Sequence, residues 1–311
     1  MLTIHEILQA AKAADASDVH LTVGLPPQMR VNGQLKSMDY SRLLPGDTLD
    51  VLLQIMTEAQ RERFEEQGTY DMAFSVPDMG RCRVNAYKQS GCVALAFRLI
   101  GEEIPSPRLL GIPEAVMGLC EKKSGLILVA GAGGSGRTTT IAAMIDMINN
   151  HRNAHVITIE EPIEYIHRHK ESMIHQRELG TDVGDYQTAL RAALHEDADV
   201  IMLSELGGCE TIDAAMDAVQ AGHLVLAAVN ATGVTETVEA LIESFPPHKQ
   251  QRARMKLAGV LETVICQRML PATETGARVV DFELLSADLE VRKLIADNQT
   301  EQLVKHVNTN L

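Results

Sequence analysis

Residues 126–138 read Leu-Ile-Leu-Val-Ala-Gly-Ala-Gly-Gly-Ser-Gly-Arg-Thr, and residues 138–148 continue as Thr-Thr-Thr-Ile-Ala-Ala-Met-Ile-Asp-Met-Ile. A strand-length apolar run ends on glycine, and a helix-forming stretch follows. Gly131, Gly136 and Thr138 fall on three fixed positions of the phosphate-loop pattern G-x-x-x-x-G-K-[ST]. In such a loop successive backbone N–H groups and a helix N-terminus converge on an anion. Glycine lets backbone approach the anion closely and accepts positive φ. The competing reading is a glycine-rich turn, and the strand before and helix after it favour the phosphate loop. The candidate binding set is Gly131, Gly133, Gly134, Ser135, Gly136, Arg137, Thr138 and Thr139. Arg137 occupies the lysine position. It keeps the charge, but a planar fork does not replace a compact ammonium, and positioning is most of the catalysis in phosphoryl transfer.

Further along, Val156–Glu161, Val200–Leu206 and His223–Asn230 read as strands, with helical stretches at 137–150, 185–197 and 209–221. Buried strands alternating with helices predict an α/β fold on a parallel sheet. Ligands of such a sheet bind at the carboxyl ends of its strands. Two of these ends carry acids: Glu160-Glu161-Pro162-Ile163-Glu164, and Glu205 after an apolar run, the form of a Walker-B strand. An acid there can hold Mg²⁺ through water or orient an attacking water.

Residues 1–100 differ in texture. Ile4, Ile7, Leu8 and Ala11 share a helical face. Val19, Leu21, Met29 and Val31 alternate, and Asn32-Gly33 signals a hairpin. Leu49, Leu52, Leu53 and Met56 predict a second helical face. Tyr70–Val76, Arg81–Lys88 and Gly91–Leu99 predict three more strands, with a turn at Pro77–Gly80. These residues predict an α+β domain. Residues 101–113, rich in proline and glycine, form the expected linker, and 114–311 the second domain, with C-terminal helices over 250–267 offering an edge to a membrane partner.

The chain has 311 residues, with 28 Lys and Arg against 42 Asp and Glu, a net charge of −14. That acid excess and a 3% aromatic content argue against a nucleic-acid binder. Cys82, Cys92, Cys120, Cys209 and Cys266 include no CxxC pair, which points to reduced thiols and a cytoplasmic setting. No apolar run reaches the roughly 18 residues of a membrane span.

Taken together, the stretches at 16–33, 80–87, 125–146, 157–167, 175–182, 189–205, 209–212 and 221–230 resemble, in order, the type IV pilus retraction ATPase family (PilT-like) of the type II/IV secretion ATPase superfamily. The resemblance implies a PAS-like N-terminal domain and a RecA-like P-loop ATPase domain. It implies ATP and Mg²⁺ as ligands, with Thr138 and Glu205 at the metal. It also implies a homo-hexamer or a mixed ring with a related ATPase, working at the cytoplasmic face of the inner membrane through a platform protein. By the same resemblance Glu164 is a catalytic glutamate, Glu205 the Walker-B glutamate and His223 the first His-box histidine. Arg81 and Arg83 resemble arginines that reach a neighbouring subunit's nucleotide. Read on its own, His223 is more often a structural hydrogen-bonding residue, and the resemblance brings a γ-phosphate-sensing role level with that reading.

Several positions depart from the family pattern: Arg137 for lysine, Asn230 for the second His-box histidine, and His195 for an arginine. The stretch Ser204-Glu205-Leu206-Gly207-Gly208 stands where Gly-Glu-Met-Arg-Asp is usual, and Glu290-Val291-Arg292-Lys293-Leu294 keeps a C-terminal motif in part. Two functions are therefore expected: a motor ATPase of the pilus machinery, or a nucleotide-binding, weakly hydrolysing ring subunit.

Overall fold

The computed structural model describes residues 3–77, 79–101, 103–270 and 279–309. Asp78, Glu102 and 271–278, which belong to the expected turn, linker and last domain, lie outside the described residues. The chain divides into two compact units, Met1–Glu103 with Pro162–Ile166, and Ile104–Glu161 with His167–Leu311.

The first unit runs α1 (Ile4–Ala13), β1 (Asp18–Leu21), β2 (Gln28–Val31), β3 (Gln34–Ser37), α2 (Pro45–Ile55), α3 (Glu58–Gln67), β4 (Thr69–Val76), β5 (Gly80–Gln89) and β6 (Cys92–Leu99). Its strands form one antiparallel sheet in the order β3-β2-β1-β6-β5-β4. The face of α1 that is buried is Ile4, Ile7, Leu8 and Ala11, the four residues the spacing singles out. Asn32 and Gly33 both take positive φ, 51° and 79°, closing the β2–β3 hairpin.

The stretch 47–66 departs from the sequence expectation. Two helices form because Thr57 begins a new one: its hydroxyl accepts from the Gln60 N–H, and its own N–H donates to Gln60 Oε1 at 2.9 Å. The buried stripe of α2 is Thr48, Val51, Leu52 and Ile55, leaving Leu49 and Leu53 42% and 45% exposed. Thr48 can face the core because its hydroxyl donates back to the Pro45 carbonyl.

The second unit comprises α4 (Glu114–Gly118), β7 (Gly125–Ala130), α5 (Arg137–His151), β8 (His155–Glu160), β9 (Met173–Glu178), α6 (Tyr186–Ala193), β10 (Val200–Leu203), α7 (Cys209–Gln220), β11 (Leu224–Val229), α8 (Val234–Glu243), α9 (Pro247–Val260), β12 (Leu261–Leu270), β13 (Val279–Ser286) and α10 (Leu289–Ala296). The sheet order is β13-β12-β7-β11-β10-β8-β9, parallel between neighbours except for antiparallel β12–β13. Every residue of β7, β10 and β11 is buried, as a sheet covered on both faces requires. Leu126, Leu128 and Ala130 point to one layer, with Ile212 and Ala215 of α7 and Val238 of α8. Ile127 and Val129 point to the other, with Ile141, Met144 and Ile145 of α5. Each fully buried Leu or Ile contributes about 1.5–3 kcal/mol, so this alternation fixes the strand that launches the glycine loop.

The expected helices over 250–267 are corrected here. Helix α9 ends at Val260, and the β-branched run Thr263-Val264-Ile265 lies in β12, between β7 and β13. Among the described residues no helix is long and apolar enough to cross a membrane.

Candidate functional site

The glycine loop leaves the carboxyl end of β7 and enters α5. Its start is tied to β11 by the Gly131 N–H, which donates to the Val229 carbonyl at 3.3 Å. Inside it the Ser135 N–H donates to the Ala132 carbonyl. Gly134 and Gly136 adopt φ of 79° and 93°. At Gly131 a Cβ would come within 2.3 Å of Ser135 Oγ and 2.7 Å of the Gln267 carbonyl oxygen, so only glycine fits. The loop thus holds the strained turn that a phosphate cradle needs, and Arg137, Thr138 and Thr139 stand half-buried in the first turn of α5. Arg137 is pulled below the ordinary guanidinium range by burial, opposed by the nearby charge of Glu205. The glycine loop and Glu205 both stand at the carboxyl ends of parallel strands, β7 and β10, on either side of β11.

Glu205 is exposed one residue beyond Ser204, at the carboxyl end of β10. Backbone bonds on either side hold it in place: Ser204 N–H donates to the Ile159 carbonyl at 3.0 Å, and Leu206 N–H to the Ala228 carbonyl at 2.8 Å. At the end of β8, Glu160 is 3% exposed. Its Oε1 accepts from the Thr158 hydroxyl at 2.6 Å and from Gln176 Nε2 at 2.9 Å. The Gln176 Oε1 in turn accepts the His167 backbone N–H. A buried carboxylate with such donors is a structural anchor for the strand end.

The remaining candidates separate. Glu164 lies in the short segment that groups with the first unit, where its carboxylate pairs with Arg83 at 3.6 Å. Arg81 and Arg83 project from the same face of β5, whose other face, Cys82, Val84 and Ala86, is buried. His223 precedes the first residue of β11, and Leu224 pairs with Gly125 at the amino end of β7. Six residues of strand, about 20 Å, then separate it from the loop. Its Nδ1 lies 2.7 Å from the Ala198 carbonyl, a structural bond. The structure does not bring His223 to the phosphate loop; Asn230, at the other end of β11, is on the loop's side of the sheet.

Two features escape motif reading. Gln267 of β12, 1% exposed, donates Nε2 to the Ser135 carbonyl at 2.7 Å and braces the loop from below. Nothing in the spacing marks a residue so distant in sequence. Its Oε1, and Ser135 Oγ, have no hydrogen-bond partner among the described residues. A cavity of about 280 Å³ opens beside them, between Ala132–Ser135, Thr232 and Arg268. The second feature is a bridge between Tyr186 Oη and Ser204 Oγ, 2.8 Å long.

Narrow backbone clearance, positive-φ glycines, a helix N-terminus and an adjoining cavity with buried polar atoms together fit a phosphate-bearing ligand. For a divalent cation the available groups are the Thr138 hydroxyl and Glu205. Among the described residues no cluster of three or more His, Cys, Asp or Glu is able to hold a metal ion. An ion here would therefore draw most of its ligands from phosphate oxygens and water.

Comparison with known proteins gives the chain its place. Residues 2–309 match the family described as Type II/IV secretion system protein. The type IV pilus retraction ATPase PilT of Pseudomonas aeruginosa is 34% identical over 308 residues, covering 99% of this chain and 89% of that protein. The type IV pilus ATPase PilU of the same organism is 33% identical, covering 97% and 79%. A crystal structure of the pilus retraction motor PilT with bound ADP superposes with a TM-score of 0.90 at 42% identity, covering 98% of this chain and 89% of the other. That match carries the RecA-like fold with its N-terminal domain. The chain belongs to the type II/IV secretion system protein family, and within it is PilT-like.

Proposed function

We propose that this protein is an ATP-binding motor ATPase of a type IV pilus machine, acting in pilus retraction. The observation that carries the reading is the pairing of an intact glycine-loop backbone with a strand-end acid close enough to act on Arg137, in a chain that matches retraction ATPases from end to end. In this reading the backbone N–H groups of residues 131–138 and the α5 N-terminus hold the β- and γ-phosphates. Arg137 balances their charge. Glu205 orients the attacking water and takes its proton. A bound Mg²⁺, which Thr138 and Glu205 would hold, would supply charge neutralisation on the transferred phosphoryl. Arg81 and Arg83 are assigned to completing a neighbouring subunit's site. The protein would then work as a hexamer, alone or mixed with a related ATPase, at the cytoplasmic face of the inner membrane on a platform protein.

A second reading, a nucleotide-binding ring subunit with little turnover, is favoured by one observation: Arg137, a rigid fork where a flexible ammonium is usual. Steady-state ATP hydrolysis with Mg²⁺ at ring-forming concentration, wild type beside Arg137→Lys, separates the two. A wild-type rate within about tenfold of Arg137→Lys supports the motor. A wild-type rate at the no-enzyme background, restored by Arg137→Lys, supports the second reading. Absence of nucleotide binding in both proteins overturns both.

A further inference from the structure

The two acid-bearing strand ends are joined by side chains from three separate segments. Ser204 stands at the end of β10, next to Glu205. Its Oγ accepts the Glu161 backbone N–H at 3.1 Å, which reaches across to the end of β8. The same oxygen lies 2.8 Å from Tyr186 Oη, at the first residue of α6. Asp185 caps that helix by accepting the Thr188 N–H at 2.7 Å, so the tyrosine is delivered from a fixed helix start. One hydroxyl therefore ties β8, β10 and α6 together where the acids emerge.

The electrostatics at this point are specific. Burial pushes the Tyr186 phenol well above its ordinary range; the Ser204 bond counters that, and the charges of Glu161, Glu205 and Glu160 reinforce it. The phenol therefore stays protonated and serves as a neutral hydrogen-bonding group among three carboxylates. A neutral dipole there spaces the acids without cancelling their charge, which a lysine or arginine would do.

The geometry points to Tyr186 and Ser204 as a positioning couple for Glu205: the bridge fixes the spacing of the β8 and β10 ends, and so the aim of the Walker-B carboxylate at the phosphoryl group. The couple touches no substrate atom in this account. It acts through the backbone of Ser204 and Glu161. The inference rests on the ATPase reading above for its effect on rate, but its structural half stands by itself.

The test uses the full chain with Mg²⁺ and ATP, as wild type, Tyr186→Phe, Ser204→Ala and the double variant. Loss of one partly buried hydrogen bond on the positioning path is expected to lower kcat about fivefold, with KM and the affinity for a fluorescent ATP analogue within twofold. The double variant is expected to be no slower than the slower single variant, because the bridge is lost only once. Losses that multiply, or a change in KM without one in kcat, overturn the couple.

A second measurement needs no turnover. Deuterium exchange at the Glu161 amide, resolved cleanly because Pro162 carries no N–H, is expected to quicken in Ser204→Ala and also in Tyr186→Phe, where the hydroxyl acceptor is still present but no longer oriented. Unchanged exchange in Tyr186→Phe overturns the couple. A wild type that does not hydrolyse ATP defeats the motor reading alone, and the exchange result then decides the couple.

Discussion

The glycine loop and the acid-bearing strand ends sit along one edge of the same sheet, yet they are built differently. The loop is a backbone object. Its shape comes from contiguous residues, from a glycine at 131 with no room for a Cβ, and from positive φ at 134 and 136. The acid side is a side-chain object. Glu205 is placed by strand register, and around it Ser204, Tyr186, Thr158, Glu160 and Gln176 bond across β8, β9, β10 and α6. The difference teaches which functions withstand substitution. Backbone N–H groups survive a change from lysine to arginine beside them. Aim and proton transfer at a carboxylate do not survive changes in the side chains that hold it. The proposed function accordingly gives binding to the loop and turnover to the acids.

The sharpest way to break that contrast is to remove the acid. Glu205→Gln is expected to lower turnover by about 10²–10⁴-fold, the usual scale for a lost general base, while nucleotide affinity moves less than threefold. Kinetics and analogue titration on the same preparation check it; an equal fall in affinity would transfer Glu205 to the binding side.

On the loop side, Gly131→Ala forces a methyl group against the Gln267 carbonyl and Ser135 Oγ. Overpacking of this kind costs about 1–3 kcal/mol. Nucleotide affinity should fall by at least about tenfold and the melting temperature by several degrees. Retained affinity would show that the cradle does not need this backbone.

The acid side also predicts a pH dependence. Burial holds His167 down to about 4, with Asp146 opposing and Lys170 reinforcing the shift, and its backbone N–H supports Gln176 beneath Glu160. The folded pKa is below the unfolded value, so the unfolded chain takes up the proton first as pH falls. Stability is then complete above about 6.5 and is lost progressively down to about 4, by at most about 3 kcal/mol. Melting temperature against pH should fall in that window for the wild type and less steeply for His167→Leu. Parallel curves would mean His167 is not the group responsible.

The smallest effect belongs far from both regions. His223→Ala removes the bond to the Ala198 carbonyl at the amino end of the sheet and should cost about 1 kcal/mol of stability, leaving nucleotide affinity and turnover within twofold. A large loss of turnover at unchanged affinity would restore His223 to the phosphate.

Much of this was legible in the sequence. The loop was readable because its function needs glycines at fixed intervals between an apolar run and a helix, all in adjacent residues. Glu205 was readable because a buried strand must end before an acid can face water. The α1 face and the Asn32-Gly33 hairpin follow from local periodicity and turn chemistry alone. What escaped depends on tertiary pairing. His223 lies in a matching segment, but only the register of Leu224 with Gly125 reveals which end of the sheet it occupies. Gln267 and Tyr186 reach the site across large sequence separations. The stretch 250–267 mixes helix formers with a β-branched run, and sheet pairing with β7 decides its second half. Leu49 and Leu53 lost the core to Thr48 because a hydroxyl that bonds its own helix can be buried cheaply.

The most direct test of the division between loop and acids is one crossed experiment: nucleotide affinity and kcat, with Mg²⁺, for wild type, Gly131→Ala and Glu205→Gln at a single ring-forming concentration. The account predicts that Gly131→Ala loses affinity, and that Glu205→Gln keeps affinity and loses kcat. Affinity and kcat falling together in both variants, or a wild type no faster than Glu205→Gln, would contradict it.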